Sequence, residues 1–248
     1  RGGTTGPIWQ VVQVIDQGPL RVVVRTDING VVYPGDEFTA AFRGRVLLHQ
    51  QIPHPTLHLD ADGRMMDVTG NGMLNLVIES DTGGSGCCGT QYIYEYDPAV
   101  PSLVPIAVLQ GRGRWRDVDG DALPEFVVGD DSFSYRWTSG AESPYPLVIL
   151  RWRDDHYEAA IDLMRAPAPT RGQIEEWLVA APTDGIGLTI QRALAMVYTG
   201  HADLGWDFLG RANASIWNQP ELVNSVRAAL EDSPWAADVL RLNRPDAE

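Results

Sequence analysis

The residues best suited to chemistry are oxygen-bearing side chains at regular positions of a short segment. Asp117, Asp119, Asp121 and Glu125 stand at positions 1, 3, 5 and 9 of the segment 117–125. Calcium-binding loops use this spacing and take a main-chain carbonyl at position 7, here that of Leu123. Four carboxylates so close together repel one another unless a cation neutralises them, so the spacing predicts a calcium site. In the alternative interpretation, the aspartates accept backbone N–H groups in a tight turn without metal.

An equivalent segment lies 50 residues earlier, at 67–75. It aligns without a gap and places Asp67, Thr69, Asn71 and Asn75 at positions 1, 3, 5 and 9, with the carbonyl of Met73 at position 7. With a single carboxylate, this segment predicts weaker calcium binding, and a metal-free, hydrogen-bonded turn is favoured here. The repetition itself indicates repeated supersecondary units.

The only two cysteines, Cys87 and Cys88, are adjacent. Neighbouring cysteines cannot cross-link distant segments, so a disulfide between them would form a strained bend rather than a long-range constraint. Two alternatives stay open: two free, buried thiols, or a thiol-redox site based on a readily reduced bridge.

The elements that position these residues are mainly strands. Short runs of β-branched and aromatic residues, separated by turn signals, continue to about residue 160. Within them, 37–50 is interpreted as continuous strand, and the tyrosines at 92, 94 and 96 are placed on one face. A capping box of Thr170 and Gln173 opens a helical C-terminal part. The sequence thus predicts a mainly β fold with helices at its C-terminus, divided into a β-repeat domain at 1–165 and a helical domain at 166–248.

Charge and composition narrow the function classes. The 248-residue chain has a net charge of −14, which argues against nucleic acid as a partner. All 19 basic residues are arginine, which excludes lysine Schiff-base chemistry and a P-loop lysine. No apolar run is long enough for a transmembrane helix. The chain also lacks nucleophile-elbow and zinc-protease motifs, which favours a non-catalytic protein.

The two segments read D-V-T-G-N-G-M-L-N-L-V-I and D-V-D-G-D-A-L-P-E-F-V-V. They resemble the FG-GAP/VCBS class of repeats, which is found in integrin α-type β-propellers and in exported bacterial proteins. The segment 83–88, G-G-S-G-C-C, resembles a signature of secreted or periplasmic bacterial proteins, and 195–206 resembles a helical tail attached to them. The resemblance implies structural calcium and a partial or open β-propeller-like domain. It also implies a periplasmic or extracellular location, with a signal peptide taken to have been removed.

These observations favour a non-catalytic exported binding or scaffold module. Its expected partner is a protein or a surface glycan in a cell-surface or periplasmic assembly, with peripheral association to a membrane complex as one arrangement. Two alternatives are a calcium-dependent hydrolase acting on glycans or phosphoesters, and a thiol-redox protein using Cys87 and Cys88.

Overall fold

The computed structural model describes residues 6–30, 35–83 and 89–244. Cys87 and Cys88, the residues of the predicted vicinal disulfide, lie outside these ranges. The described strands are β1 (Trp9–Gln17), β2 (Leu20–Asp27), β3 (Asp36–Phe42), β4 (Arg45–Gln51), β5 (Thr56–His58), β6 (Leu74–Asp81), β7 (Gly89–Asp97), β8 (Ser102–Gln110), β9 (Gly113–Arg116), β10 (Glu125–Gly129), β11 (Leu147–Arg153) and β12 (His156–Ala159). The described α-helices are α1 (Ile161–Met164), α2 (Arg171–Val197), α3 (Ala202–Ala212), α4 (Leu222–Glu231) and α5 (Ala236–Leu242).

Consecutive strands form three antiparallel sheets of four strands each: β1 to β4, β5 to β8 and β9 to β12. Every pairing joins strands that follow one another in the chain, so each sheet is a simple meander, and the three sheets do not close into a barrel in the described ranges. The prediction of a mainly β fold with C-terminal helices is confirmed. The interpretation of 37–50 as one strand is wrong, because Arg43 (φ 47°) and Gly44 (φ 82°) turn the chain between β3 and β4.

The middle sheet is buried on both faces because alternate residues of its strands contact different neighbours. Leu76, Ile78 and Tyr94 belong to a core shared with the first sheet. Val77 and Ile93 belong to a second core shared with the third sheet and the helices. The tyrosines at 92, 94 and 96 lie on the first of these faces, as the two-residue period predicts.

The helices pack onto the third sheet through the second core. The predicted capping box is present: the Thr170 side chain accepts the backbone N–H of Gln173, and the Gln173 side chain accepts that of Thr170. Helix α2 is interrupted at Gly185, whose φ of 80° is not helical. None of the helices in the described ranges has the length and apolarity needed to cross a membrane.

A buried polar cluster joins these helices to the end of β10. The Asp130 carboxylate accepts hydrogen bonds from the Tyr198 hydroxyl at 2.5 Å, the Ser233 hydroxyl at 2.5 Å and the Ser132 backbone N–H at 3.0 Å. Asp130 is 2% exposed and Tyr198 1% exposed. A buried carboxylate is tolerated only when hydrogen bonds replace its hydration, so this cluster fixes where the helices sit against the sheet.

Candidate metal centre

The two acidic segments occupy equivalent places in adjacent sheets. Segment 67–75 joins the first and second strands of the middle sheet, and segment 117–125 joins the first and second strands of the third sheet. In each segment, the residue at position 9 pairs with the residue just before position 1, as Asn75 with Met66 and Glu125 with Arg116. The sequence repeat is therefore also a structural repeat.

The two loops have the same pattern of internal hydrogen bonds. In the second loop, Asp117 at position 1 accepts the backbone N–H groups of Gly120 and Ala122, at 2.6 and 3.0 Å. In the first loop, Asp67 accepts those of Gly70 and Gly72, at 2.7 and 2.8 Å.

Position 9 also closes both loops in the same way. Glu125 Oε2 accepts the N–H of Val118, and Asn75 Oδ1 accepts that of Val68, both at 2.8 Å. The side chains at positions 1 and 9 thus hold each loop by contacts that span only a few residues.

Both loops need left-handed backbone at positions 4 and 6. Gly70, Gly72 and Gly120 have φ of 74°, 81° and 85°, and Ala122 has 72°. Glycine adopts this conformation without steric cost, whereas an alanine in it is strained. The second loop keeps its shape despite Ala122, so its other contacts outweigh that strain.

Three carboxylates converge in the second loop. The ligand oxygens of Asp117, Asp119 and Glu125 lie within 4.8 Å of one another. Asp121 stands outside this group and accepts the N–H of Leu123 at 2.8 Å. Glu125 is only 4% exposed. Burial raises the pKa of Glu125, and the charges of Asp119 and Asp121 raise it further, against a lowering by the Val118 N–H.

This donor set fits a hard divalent cation. Carboxylate oxygens are the preferred ligands of calcium, and each retains lone pairs after accepting one N–H. A bound cation would reverse the repulsion among Asp117, Asp119 and Glu125 that crowding creates.

The first loop fits such an ion less well. Within the described ranges, no group of three histidine, cysteine, aspartate or glutamate side chains converges around it. Its Asn75 uses Oδ1 to accept the Val68 N–H, so the remaining amide group is a donor, and this Nδ2 is buried without a hydrogen-bond partner. Asn71 donates to Glu95 at 2.5 Å, and the Asp67 oxygens accept hydrogen bonds from Thr69, Gly70 and Gly72 of their own loop. A donor in the place of a carboxylate repels a cation.

The two loops also contact each other, which the sequence did not indicate. A Cβ built on Gly70 would lie 2.6 Å from Cδ1 of Leu123, so the Leu123 side chain rests on the glycine. Tyr157 of β12 donates to the carbonyl of Val68 at 3.1 Å. Burial raises the pKa of Tyr157, with a smaller contribution from Asp67.

A depression of about 200 Å³ opens between the loops and β11. Thr69, Asp119 and Glu125 line one part of it, and Arg151 and Trp152 line another. The pairing of β10 with β11 brings these residues together, and the sequence pattern carries no signal for that register.

The histidines do not join this centre. Histidines 49, 54 and 58 each contact a different carboxylate, those of residues 37, 36 and 79.

Comparison of the chain with protein-family models, with curated proteins and with solved structures found no match.

Proposed function

We propose that this chain is a non-catalytic binding or scaffold module of an exported bacterial protein, stabilised by calcium in the loop 117–125. The observation that carries the proposal is the convergence of Asp117, Asp119 and Glu125 in a loop whose backbone is built twice in the chain. Asp121 and the carbonyl of Leu123 complete the proposed ligand set. The first loop, with Asp67, Thr69, Asn71, Met73 and Asn75, is proposed as a hydrogen-bonded turn without metal, because its buried Asn75 amide group is a donor.

The role of the metal in this proposal is structural. The ion ties the turn between β9 and β10 by replacing carboxylate repulsion with coordination. Because Leu123 rests on Gly70, ordering the second loop also supports the first. The surface formed by the two loops is then rigid enough to present to a protein or a surface glycan in the periplasm or outside the cell.

The three meander sheets are compatible with FG-GAP-like repeats in an open, propeller-like arrangement. Each sheet has four antiparallel strands, and adjacent sheets share cores. This arrangement, like the membership of the repeat class and the exported location, is part of the proposal and rests on the motif and the repeat.

The test is a thermal melt in 1 mM calcium and in chelator, for the wild type and for Asp119→Asn. A site of micromolar affinity adds about 4 kcal/mol at millimolar calcium, which raises the melting temperature by roughly 8–16 °C in a domain of this size. Asp119→Asn should abolish this shift. In chelator the same variant should melt no lower than the wild type, because it removes a repulsive charge while keeping an oxygen for the Asp121 N–H.

The matched control is Asn71→Ala, an exposed change at position 5 of the first loop, which should keep the calcium shift. A wild type that melts identically in calcium and in chelator would refute the structural metal. Hydrolysis of a glycan or phosphoester substrate that requires calcium and is lost in Asp119→Asn would refute the non-catalytic assignment in favour of the hydrolase.

A further inference from the structure

The first sheet has one covered face and one uncovered face. On the covered face, Val22 and Val24 are fully buried in the core shared with the middle sheet. On the opposite face, Val11 and Val14 of β1 are 50% and 38% exposed, and Val46 of β4 is 57% exposed. The middle sheet, by contrast, is buried on both faces. Within the described ranges, the first sheet therefore leaves apolar side chains of one face in contact with solvent.

The register of the strands places small side chains at the centre of this uncovered face. Directly paired residues of neighbouring strands point to the same side of a sheet. Val14 pairs with Val23, Val23 with Thr39 and Thr39 with His49, which makes one row across all four strands. Valine and threonine are short and stiff, so this row suits close packing of one sheet on another. We call the side of the sheet that carries this row and the two rows flanking it the open face.

The charged side chains of the open face pair with one another. Arg21 contacts Asp16 at 3.2 Å in one flanking row, and Arg25 contacts Glu37 at 3.3 Å in the other. His49 Nε2 lies 3.7 Å from the same Glu37 carboxylate. Arginines and carboxylates are thus equal in number in these three rows, whereas the chain as a whole has 33 acidic and 19 basic residues. Two copies of so acidic a chain repel each other, and the open face adds nothing to that repulsion.

The open face has the area of a small, specific interface. Its four strands contain nine, eight, seven and seven residues. With about 3.3 Å per residue and about 4.8 Å between strands, the face covers roughly 500 Å² of each copy, or about 1,000 Å² for two copies. Specific protein–protein interfaces begin near this area, and those at the lower limit are weak. Two open faces therefore suffice for a weak dimer.

We propose that two copies of this chain associate through their open faces, as a weak dimer with twofold symmetry. A twofold axis brings the same surface of each copy into contact, so the row of Val14 and Val23 in one copy packs on that of the other. The ion pairs of Arg21 and Arg25 lie on either side of this row and need no partner from the other copy. The contact uses the first sheet, whereas the loop 117–125 belongs to the third, so the dimer does not depend on calcium.

The test is sedimentation equilibrium of the whole chain in chelator, at concentrations up to about 200 μM and at about 0.15 M salt, which screens the net charge. We expect a monomer–dimer equilibrium with a dissociation constant of about 1–100 μM. A chain that stays monomeric at every concentration would overturn the proposal. Growth beyond the dimer would overturn it as well, because a twofold contact closes after two copies.

Val14→Asp should weaken the association by about tenfold or more, because it places an unpaired carboxylate in the contact from both copies. Val46→Asp, on the opposite edge strand, should weaken it too, and circular dichroism melts check that both variants keep the fold. The matched control is Val108→Asp, which changes a valine that is 54% exposed on β8, an edge strand of the middle sheet, and should dimerise as the wild type does. Unchanged association of both open-face variants, or an equal loss in the control, would refute the assignment of the contact to this face.

Discussion

Removal of one hydroxyl, in Tyr198→Phe, tests how the helices are held to the third sheet. This hydroxyl donates to Asp130 at 2.5 Å in a site where both residues are almost fully buried. The phenylalanine keeps the ring, which packs edge-on against Phe133 with 6.3 Å between centroids. The change therefore removes a hydrogen bond to a buried carboxylate and leaves the packing in place.

The expected loss follows from the charge of the acceptor. A hydrogen bond to a charged group contributes about 1.5–3 kcal/mol, and its removal leaves a buried carboxylate with fewer partners. Asp130 keeps the Ser233 hydroxyl and the Ser132 N–H, so we expect a loss of about 2 kcal/mol. In a protein of this length that loss lowers the melting temperature by roughly 4–8 °C.

The assay is urea denaturation followed by circular dichroism and by tryptophan fluorescence. Because the helices and the third sheet share one core, both signals should change in a single transition. The control is Tyr92→Phe, because the Tyr92 hydroxyl has no hydrogen-bond partner among the described residues, and this change should cost less than about 0.5 kcal/mol. If Tyr198→Phe were as stable as the control, or if helices and sheets unfolded separately, the polar cluster would not be what joins them.

Two further predictions concern the paired loops and the buried tyrosines. Gly70→Ala should lower the free energy of unfolding in urea by about 2–3 kcal/mol, because it combines left-handed backbone strain with a clash against Leu123. Gly72→Ala has open space around its Cβ and should cost only about 1 kcal/mol. Equal losses for the two variants would refute the contact between the loops. The pKa values of Tyr157 and Tyr198 are raised by burial, so the stability that these tyrosines contribute is complete below about pH 10, their unfolded value, and is lost as the pH rises toward their folded values. With no lysine to titrate in this range, urea midpoints should fall above pH 10, and Tyr157→Phe should reduce that fall; an unchanged slope would contradict it.

The amino-acid sequence alone determined the features that depend on contacts between near neighbours. The hydrogen bonds of Asp117 to Gly120 and Ala122 span at most five residues, so the motif predicts the turn. The capping box of Thr170 and Gln173 spans three residues, and the tyrosine face of β7 follows from the pleat of a single strand. Each could be inferred because a contact between residues so close in sequence costs little chain entropy to form.

Where the alternation of apolar and polar residues was weak, the prediction from the sequence was wrong. The segment 37–50 lacks a strong turn dipeptide of the Asn-Gly or Asp-Gly kind, and the turn at Arg43 and Gly44 escaped detection. The polar run of Arg43, Gly44 and Arg45 at its centre is the signal that could have marked a hairpin. Chain direction reverses there because pairing β3 with β4 satisfies backbone groups that a single long strand would leave open.

Only the tertiary structure decided what distant segments build together. Asp130 accepts hydrogen bonds from Tyr198 and Ser233, which lie 68 and 103 residues further along the chain. Leu123, in the loop of the third sheet, contacts Gly70, in the loop of the middle sheet. These arrangements depend on which faces of the sheets and helices bury apolar area against one another, and burial of apolar area is non-directional, so one sequence pattern is compatible with many such packings. The repeated loop can therefore be predicted from the sequence, whereas the residues that contact it are decided only by the packing of the whole chain.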